Sequence, residues 1–284
     1  MARTIPHIHY DSIAECKADL GAPWTLPENG NRANGYANDN HGGKAWYGVG
    51  SVDTFHRTLE KGHAEGVTAI DTMLGKIKAQ LPKAVGIGRK LIKGDQGDEL
   101  DIHAVNRGDI SRAWSSRKRL IKRGKSAVRI VCDIAGNCNV DASTLQWRGV
   151  AAMCVAEIMS KAGYKTEIVA GMSTSGAASG VPEVLTTVTV KSMGTQPDKG
   201  LLAAVLCLAG FFRTWGFVAI IRHADNAGKH ASSGLGHTSR LDTQLPPDAR
   251  FTQIIVSHDV RNLDTATAWI IATVKMLQSV KGVK

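Results

Sequence analysis

From about residue 127 onward, short apolar runs of strand length alternate with longer apolar segments of helix length. No other property of this 284-residue chain limits its fold so tightly. Ala127–Cys132 reads as a strand and is followed by the loop Asp133–Asn139. A helix comes next, which Asp141 or Ser143 can cap, with apolar Leu145, Val150, Met153, Val155 and Ile158 and with Gly163 placed to end it. Thr166–Gly171 and Glu183–Val190 read as strands, Leu201–Phe212 as a buried helix, Phe217–Ile221 and Phe251–Ser257 as strands, and Asp264–Val280 as a last helix. Strands that are apolar throughout and alternate with helices predict an α/β fold, a mainly parallel sheet flanked by helices and covered on both faces.

The preceding part reads differently. Asn29–Gly43 is an Asn/Gly tract with almost nothing to bury, expected as a flexible loop. Helical spacing returns at Asp53–Glu60 and Thr68–Leu81, where Ala69, Ile70, Met73, Leu74, Ile77 and Leu81 share a face and Pro82 follows. The expected organisation is an irregular N-terminal extension, residues 1–110, packed on an α/β domain, residues 111–284, that includes a basic segment. With 43% hydrophobic and 21% charged residues, the chain is neither disordered nor collagen-like. Its five cysteines form no CxxC pair, which argues against a disulfide framework or a structural zinc. Met1–Thr4 holds no apolar signal core, and Arg213 interrupts the apolar stretch Leu201–Ile221, so a cytoplasmic protein without a membrane partner is expected.

Charge is concentrated. The formal net charge is +10, and Arg112–Arg129 holds eight basic residues and no acidic one. Arg112, Trp114, Arg117, Lys118, Arg119, Lys122, Arg123 and Lys125 are the candidate nucleic-acid contacts in this strip, which as a helix would align Arg112, Arg119 and Arg123. Trp46 and Tyr47, with Trp24 and Tyr36, are further rings on which bases could stack, while Trp147, Trp215 and Trp269 read as core. An acidic protein surface is the competing partner for such a strip.

Catalytic and metal signals are sparse. Asp133, at the end of the first core strand, is a weak metal candidate, because ligands of open α/β sheets gather at the carboxyl ends of strands. Gly171–Ser175 and Arg222–Asp225 would share that edge. His223, His230 and His237 recur every seven residues in a Gly/Ser-rich stretch, and Ser257-His258-Asp259 are sequence neighbours, which a spatially assembled triad does not require. Gly86-Ile87-Gly88 lacks the spacing of a phosphate loop. The expectation is a binding protein rather than an enzyme, with no cofactor.

Val131–Ala170 resembles the start of a von Willebrand factor A domain, an apolar strand, a metal-binding DxSxS loop, an amphipathic helix and a second strand. Here the loop reads Asp133-Ile134-Ala135-Gly136-Asn137, keeping only the aspartate. That resemblance implies an A-type domain that binds another macromolecule, an adaptor with or without Mg²⁺. The chain also resembles the single-stranded-DNA-binding RNA polymerase cofactors of N4-like phages. The likeness rests on size, basic character, Lys44-Ala45-Trp46-Tyr47-Gly48, Gly97-Asp98-Glu99-Leu100-Asp101 and the basic block leading into the Asp133 strand. It implies a non-catalytic, viral transcription cofactor in the host cytoplasm that binds single-stranded DNA and recruits a phage RNA polymerase to exposed template. Self-association into a homo-oligomer would add avidity.

Overall fold

The structure, a computed structural model, describes residues 5–78, 89–94, 99, 100, 102, 105, 108, 111, 113–119, 127–137, 139–174, 183–195, 198–231, 235 and 238–279. Its centre is a five-stranded sheet. The strands are β1 (His7–Tyr10), β5 (Val128–Asp133), β6 (Thr166–Ser173), β7 (Leu185–Lys191) and β8 (Thr252–Val256), in the order β1-β7-β6-β5-β8. β8, β5 and β6 run parallel, β7 is antiparallel to β6, and β1 is parallel to β7. The fold is therefore α/β, with a mostly parallel mixed sheet and flanking helices.

One face of the sheet carries Val128, Ile130, Cys132, Ile168, Ala170 and Met172 into the main core. Helices α4 (Val52–Lys61), α5 (Ala64–Lys78), α6 (Ala142–Lys161), α7 (Lys199–Cys207) and α10 (Leu263–Ser279) supply the other side of that core. The second face is not built like the first. Val131, Val169 and Leu185 meet Leu241 from the four-residue helix α9 (Leu241–Gln244), with Leu245 and Ile255 alongside. Both faces are thus covered, one by a thick helical layer and the other by a thin cover among the described residues.

The helix after β5 ends as the sequence indicates. Gly163, at φ 88°, follows the last turn, where Tyr164 N–H donates to the Met159 carbonyl and Gly163 N–H to the Ser160 carbonyl. Phe217–Ile221 is corrected from strand to helix. It lies in α8 (Ala209–Asn226), which runs through a π-helical turn at Phe212–Gly216. A short, wholly apolar run has no periodicity to separate a buried strand from a buried helix. No single helix among the described residues is long and apolar enough to cross a membrane. α7 and α8 together match such a span in composition, but they bend by 68° and are buried in the core.

The N-terminal region is helical rather than irregular. Besides β1 it forms α1 (Ile13–Leu20), α2 (Pro27–Asn38) and α3 (Lys44–Tyr47). Most of the Asn29–Gly43 tract is thus helix, not loop. Two side chains of α8 organise this region from a distance. Asp225 accepts from Thr25 N–H at 2.8 Å, Leu26 N–H at 2.9 Å and Asn29 Nδ2 at 3.1 Å, fixing the backbone that enters α2 and placing a carboxylate at its positive end. Arg222 donates to the Ala22 and Pro23 carbonyls and stacks on Trp24, 3.5 Å from the ring centroid. Ala33, Phe55, Ile70 and Met73 lie in the same core cluster as Ile130 and Ile168, so one core runs across the expected boundary at residue 110.

Candidate functional site

The basic block divides between two sheets. β4 (Trp114–Arg119) is the middle strand of a separate three-stranded sheet, antiparallel to β2 (Arg89–Gly94) and β3 (Glu99–Leu100). The helical reading of this segment is therefore corrected to strand. Arg117, Lys118 and Arg119 lie on β4, and Trp114, half-buried, begins it. Arg112, Lys122, Arg123 and Lys125 lie outside the described residues. The register sets Arg89 opposite Arg119, Lys90 opposite Lys118 and Leu91 opposite Arg117. Arg129, which closes the block, belongs instead to β5. There it ion-pairs with Glu167 and with Asp248 at 2.8 Å and lies over the Phe251 ring.

The N-terminal rings are committed to structure. Tyr47 is fully buried, its hydroxyl donating to the Asp39 carbonyl and accepting from His41 N–H, both at 3.0 Å. It cannot stack a base. Trp46 is half-buried beneath the Arg213 guanidinium, 4.5 Å from the ring centroid, and packs edge-on to Phe217. Tyr36 likewise packs edge-on to Phe217, and Trp24 is covered by Arg222. Trp46 and Tyr47 are thus anchors of the N-terminal region, and the stacking role assigned to them is withdrawn. The aromatic share of the chain is small, and cation–π and edge contacts within the fold use most of it.

The carboxyl ends of β5 and β8 form a second feature, a crevice of about 600 Å³ lined by Asp133, Thr144, Arg148, Arg240, His258 and Arg261, among others. Asp133 Oδ1 accepts from Ala135 N–H at 3.0 Å, and its Oδ2 lies 3.9 Å from Arg148 Nη1. Burial pushes its carboxyl up to about 6, against the pull of the Arg148 guanidinium and the Ala135 N–H. Burial also lowers Arg148 itself. Arg148 Nη1 donates to the Ala135 carbonyl at 2.7 Å and the Asp133 carbonyl at 3.2 Å, so the guanidinium shapes the loop as well as facing the carboxylate.

The floor of this crevice is tied to other strand ends. Asn137 Oδ1 accepts from Thr238 N–H at 3.2 Å, Thr174 bridges to Thr238, and Ser239 N–H donates to the Ser173 carbonyl. From behind, Arg213 Nη2 donates to the Asn137 and Val140 carbonyls, while its Nη1 reaches the Ala45 and Trp46 carbonyls. The sequence marks Arg213 only as a charge inside an apolar run. It lies in the π turn and reaches both α3 and the loop after β5, and no local pattern announces that.

The remaining sequence candidates separate. The Asp133 loop and Ser173–Thr174 do meet, but Arg222 and Asp225 are corrected to the α8 contacts with the N-terminal region. Ser257 Oγ donates to Asp259 Oδ2 at 3.3 Å and His258 Nε2 lies 3.5 Å from Asp259 Oδ1, a turn rather than a nucleophile–base pair. His223 lies on α8 and His230 beyond it, and His237 is outside the described residues. Among the described residues no three His, Cys, Asp or Glu side chains converge on a metal position. The Asp133 loop does not fit a divalent ion, because the next donor position is Ala135 and a guanidinium already faces the carboxylate. Cys16, Cys132, Cys154 and Cys207 are all buried, and burial raises each thiol above its ordinary value.

A protein-family model described as a domain of unknown function (DUF7192) matches residues 3–277. No curated protein and no solved structure matches the chain.

Proposed function

The chain belongs to the DUF7192 family, whose function is unknown, and from its geometry we propose that it binds single-stranded DNA without catalysis, through the sheet of β2, β3 and β4. The observation that carries this reading is the register of β2 and β4. Like charges set directly opposite across antiparallel strands destabilise the pairing, and here Arg opposes Arg and Lys opposes Lys at successive positions. A polyanion laid along the face that holds Arg89, Arg117 and Arg119 turns the repulsion there into attraction and releases its own counterions.

A three-stranded sheet with Trp114 at the start of its central strand favours an unpaired strand over a duplex. Strands of six residues span about 20 Å, enough for several nucleotides, and a ring beside them offers a stacking surface. Successive strand residues alternate between faces, so Arg117 and Arg119, with Arg89 opposite Arg119, are the phosphate contacts on one face of the sheet, and Lys118 with Lys90 opposite it adds positive charge on the other. Recruitment of a phage RNA polymerase to the bound template, as a viral cofactor in the host cytoplasm, extends the same proposal and rests on the resemblance to the N4-like cofactors.

Fluorescence anisotropy of labelled single- and double-stranded oligonucleotides across a salt series tests the reading. Binding should favour the single strand, ignore Mg²⁺ and weaken steeply with salt. Combined Arg117→Ala, Lys118→Ala and Arg119→Ala should weaken it for all sequences alike and lower the log–log salt slope by about 2. Unchanged affinity in the triple variant, or no binding by the parent at low salt, overturns the reading and leaves the adaptor alternative, an acidic protein partner.

A further inference from the structure

The five-stranded sheet ends on β8, and that edge is open. Thr252 N–H donates to the Ala127 carbonyl at 2.8 Å, so in the parallel register the N–H and C=O groups of Thr252, Ile254 and Val256 face β5. Those of Gln253 and Ile255 face away from it, and among the described residues they make no hydrogen bond. β8 also lacks the usual guards against pairing, since Thr252–Val256 holds no charge and no proline and keeps an even register with β5. The opposite edge differs. β1 has four residues, carries His7 and His9 and runs into Asp11.

Such an edge complements a copy of itself. In an antiparallel pair, opposed residues that exchange both hydrogen bonds alternate with opposed residues that exchange none. Setting Ile254 of one copy against Ile254 of another places a twofold axis at a non-bonded pair, with Cα atoms about 4.5 Å apart. Gln253 then opposes Ile255 on each side of the axis, and every outward-facing N–H and C=O of both residues is used. Centring on Gln253 instead would call on Phe251 N–H, which already donates to the Asp248 carbonyl. Centring on Ile255 would call on the Ser257 carbonyl, which already accepts from Val260 N–H. Ile254 belongs to the main core, so the central register also carries apolar packing from one copy to the next.

Charge follows the same symmetry. Beyond the ladder, this register brings Arg250 of one copy to His258 and Asp259 of the other. The Arg250 and Asp259 side chains are 77% and 70% exposed, so both can reach across. Opposite charges therefore meet at each end of the pairing, with no like charges opposed between them. We propose that the chain forms a twofold dimer in which β8 pairs antiparallel with β8 of a second copy, joining two five-stranded sheets into one. A second copy fits better than a foreign strand because the hydrogen-bond register and the flanking charges are both self-complementary. The inference does not depend on the reading given for the β2–β4 sheet.

Sedimentation velocity of the full chain from about 1 to about 100 µM is the test, beside two variants whose folding is checked by circular dichroism. Gln253→Pro removes an outward N–H and leaves the ladder to β5 in place, a position where an edge strand tolerates proline. Asp259→Arg, on an exposed turn, replaces attraction to Arg250 by repulsion at both ends. The parent should pass from monomer to dimer over that range, and folded Gln253→Pro should stay monomeric throughout. Asp259→Arg should dimerise about two- to tenfold more weakly than the parent, and the difference should shrink as salt is added. A parent that remains monomeric at about 100 µM, or a folded Gln253→Pro variant that dimerises as the parent does, overturns the proposal. If the proline variant loses its fold, Asp259→Arg decides, and dimerisation equal to the parent's overturns the proposal.

Discussion

Arg213, Arg222 and Asp225 show how single charged side chains hold this chain together. Each is nearly fully buried, and each binds backbone groups of segments at least seventy residues away in sequence. Asp133 is buried as deeply but less well served, with one N–H donor and a guanidinium at 3.9 Å. The consequence is a pH dependence opposite to that of most carboxylates. Its carboxyl titrates near 6 when folded and near 3.8 in the ordinary state, so the folded chain holds that proton more tightly. Stability therefore falls as pH rises from about 4 through about 6, by at most about 3 kcal/mol for a two-unit shift. Carboxylates with partners act the other way. Asp248, held low by Arg250 and Arg129, and Asp225, held low by the Thr25 and Leu26 N–H groups, give stability that is lost as pH drops below about 4. Urea unfolding of the parent and Asp133→Asn at pH 4, 5, 6 and 7 isolates the first effect. The parent should lose stability relative to the variant over that interval, and parallel profiles would refute the account.

Gly149, on α6, decides how closely that element can approach α7. A Cβ there would lie 2.3 Å from the Leu206 carbonyl oxygen and 2.5 Å from its carbon, both backbone atoms that cannot swing aside. Two effects of Gly149→Ala oppose each other. Alanine in a helix interior gains about 1 kcal/mol over glycine, while forcing two packed helices apart costs on the order of 1–3 kcal/mol or more. With backbone in the way the second wins, so the variant should unfold at lower temperature and lower urea concentration. A stabilised variant would mean that the two helices separate without cost. The elements that the sequence announced are those whose residues carry their own reason for folding. β5, β6 and β8 are apolar runs between polar breaks, and α6 ends on a glycine at positive φ. The helix α2 carries no such reason, because PENGNRANGYAN is poor in helix formers and the residues that lead into it are held by Asp225, some two hundred residues away. The candidate site divides on the same principle. The density of basic residues was legible, but their cross-strand pairing with Arg89 and Lys90 and the Arg148 contacts to the Asp133 loop depend on contacts between distant segments.

At the scale of the whole molecule, the question is whether the chain past residue 110 stands alone, as its change of texture suggests. The core argues that it does not. The helical layer on the main face of the sheet includes Phe55, Ile70, Met73 and Ile77 from before that boundary, all essentially inaccessible to solvent. Removing them would expose the α6 and α7 surfaces on which α5 packs, at about 1.5–3 kcal/mol for each large side chain. Such a loss across a core of this size equals the whole stability of an ordinary domain, about 5–15 kcal/mol. The sheet would lose an edge as well, since β1 pairs with β7 along Leu185–Val188. Arg213 and Arg222 would lose their acceptors at Ala45, Trp46, Ala22 and Pro23, which leaves Arg213 the Asn137 and Val140 carbonyls and Arg222 the Asp225 carboxylate at 3.8 Å. A chain starting at residue 111 should therefore fail to give cooperative thermal unfolding and should expose apolar surface to a dye, whereas the full chain should melt in one transition. A shortened chain that melts cooperatively with native-like helix content would show two separable units, and the single continuous core described here would be wrong.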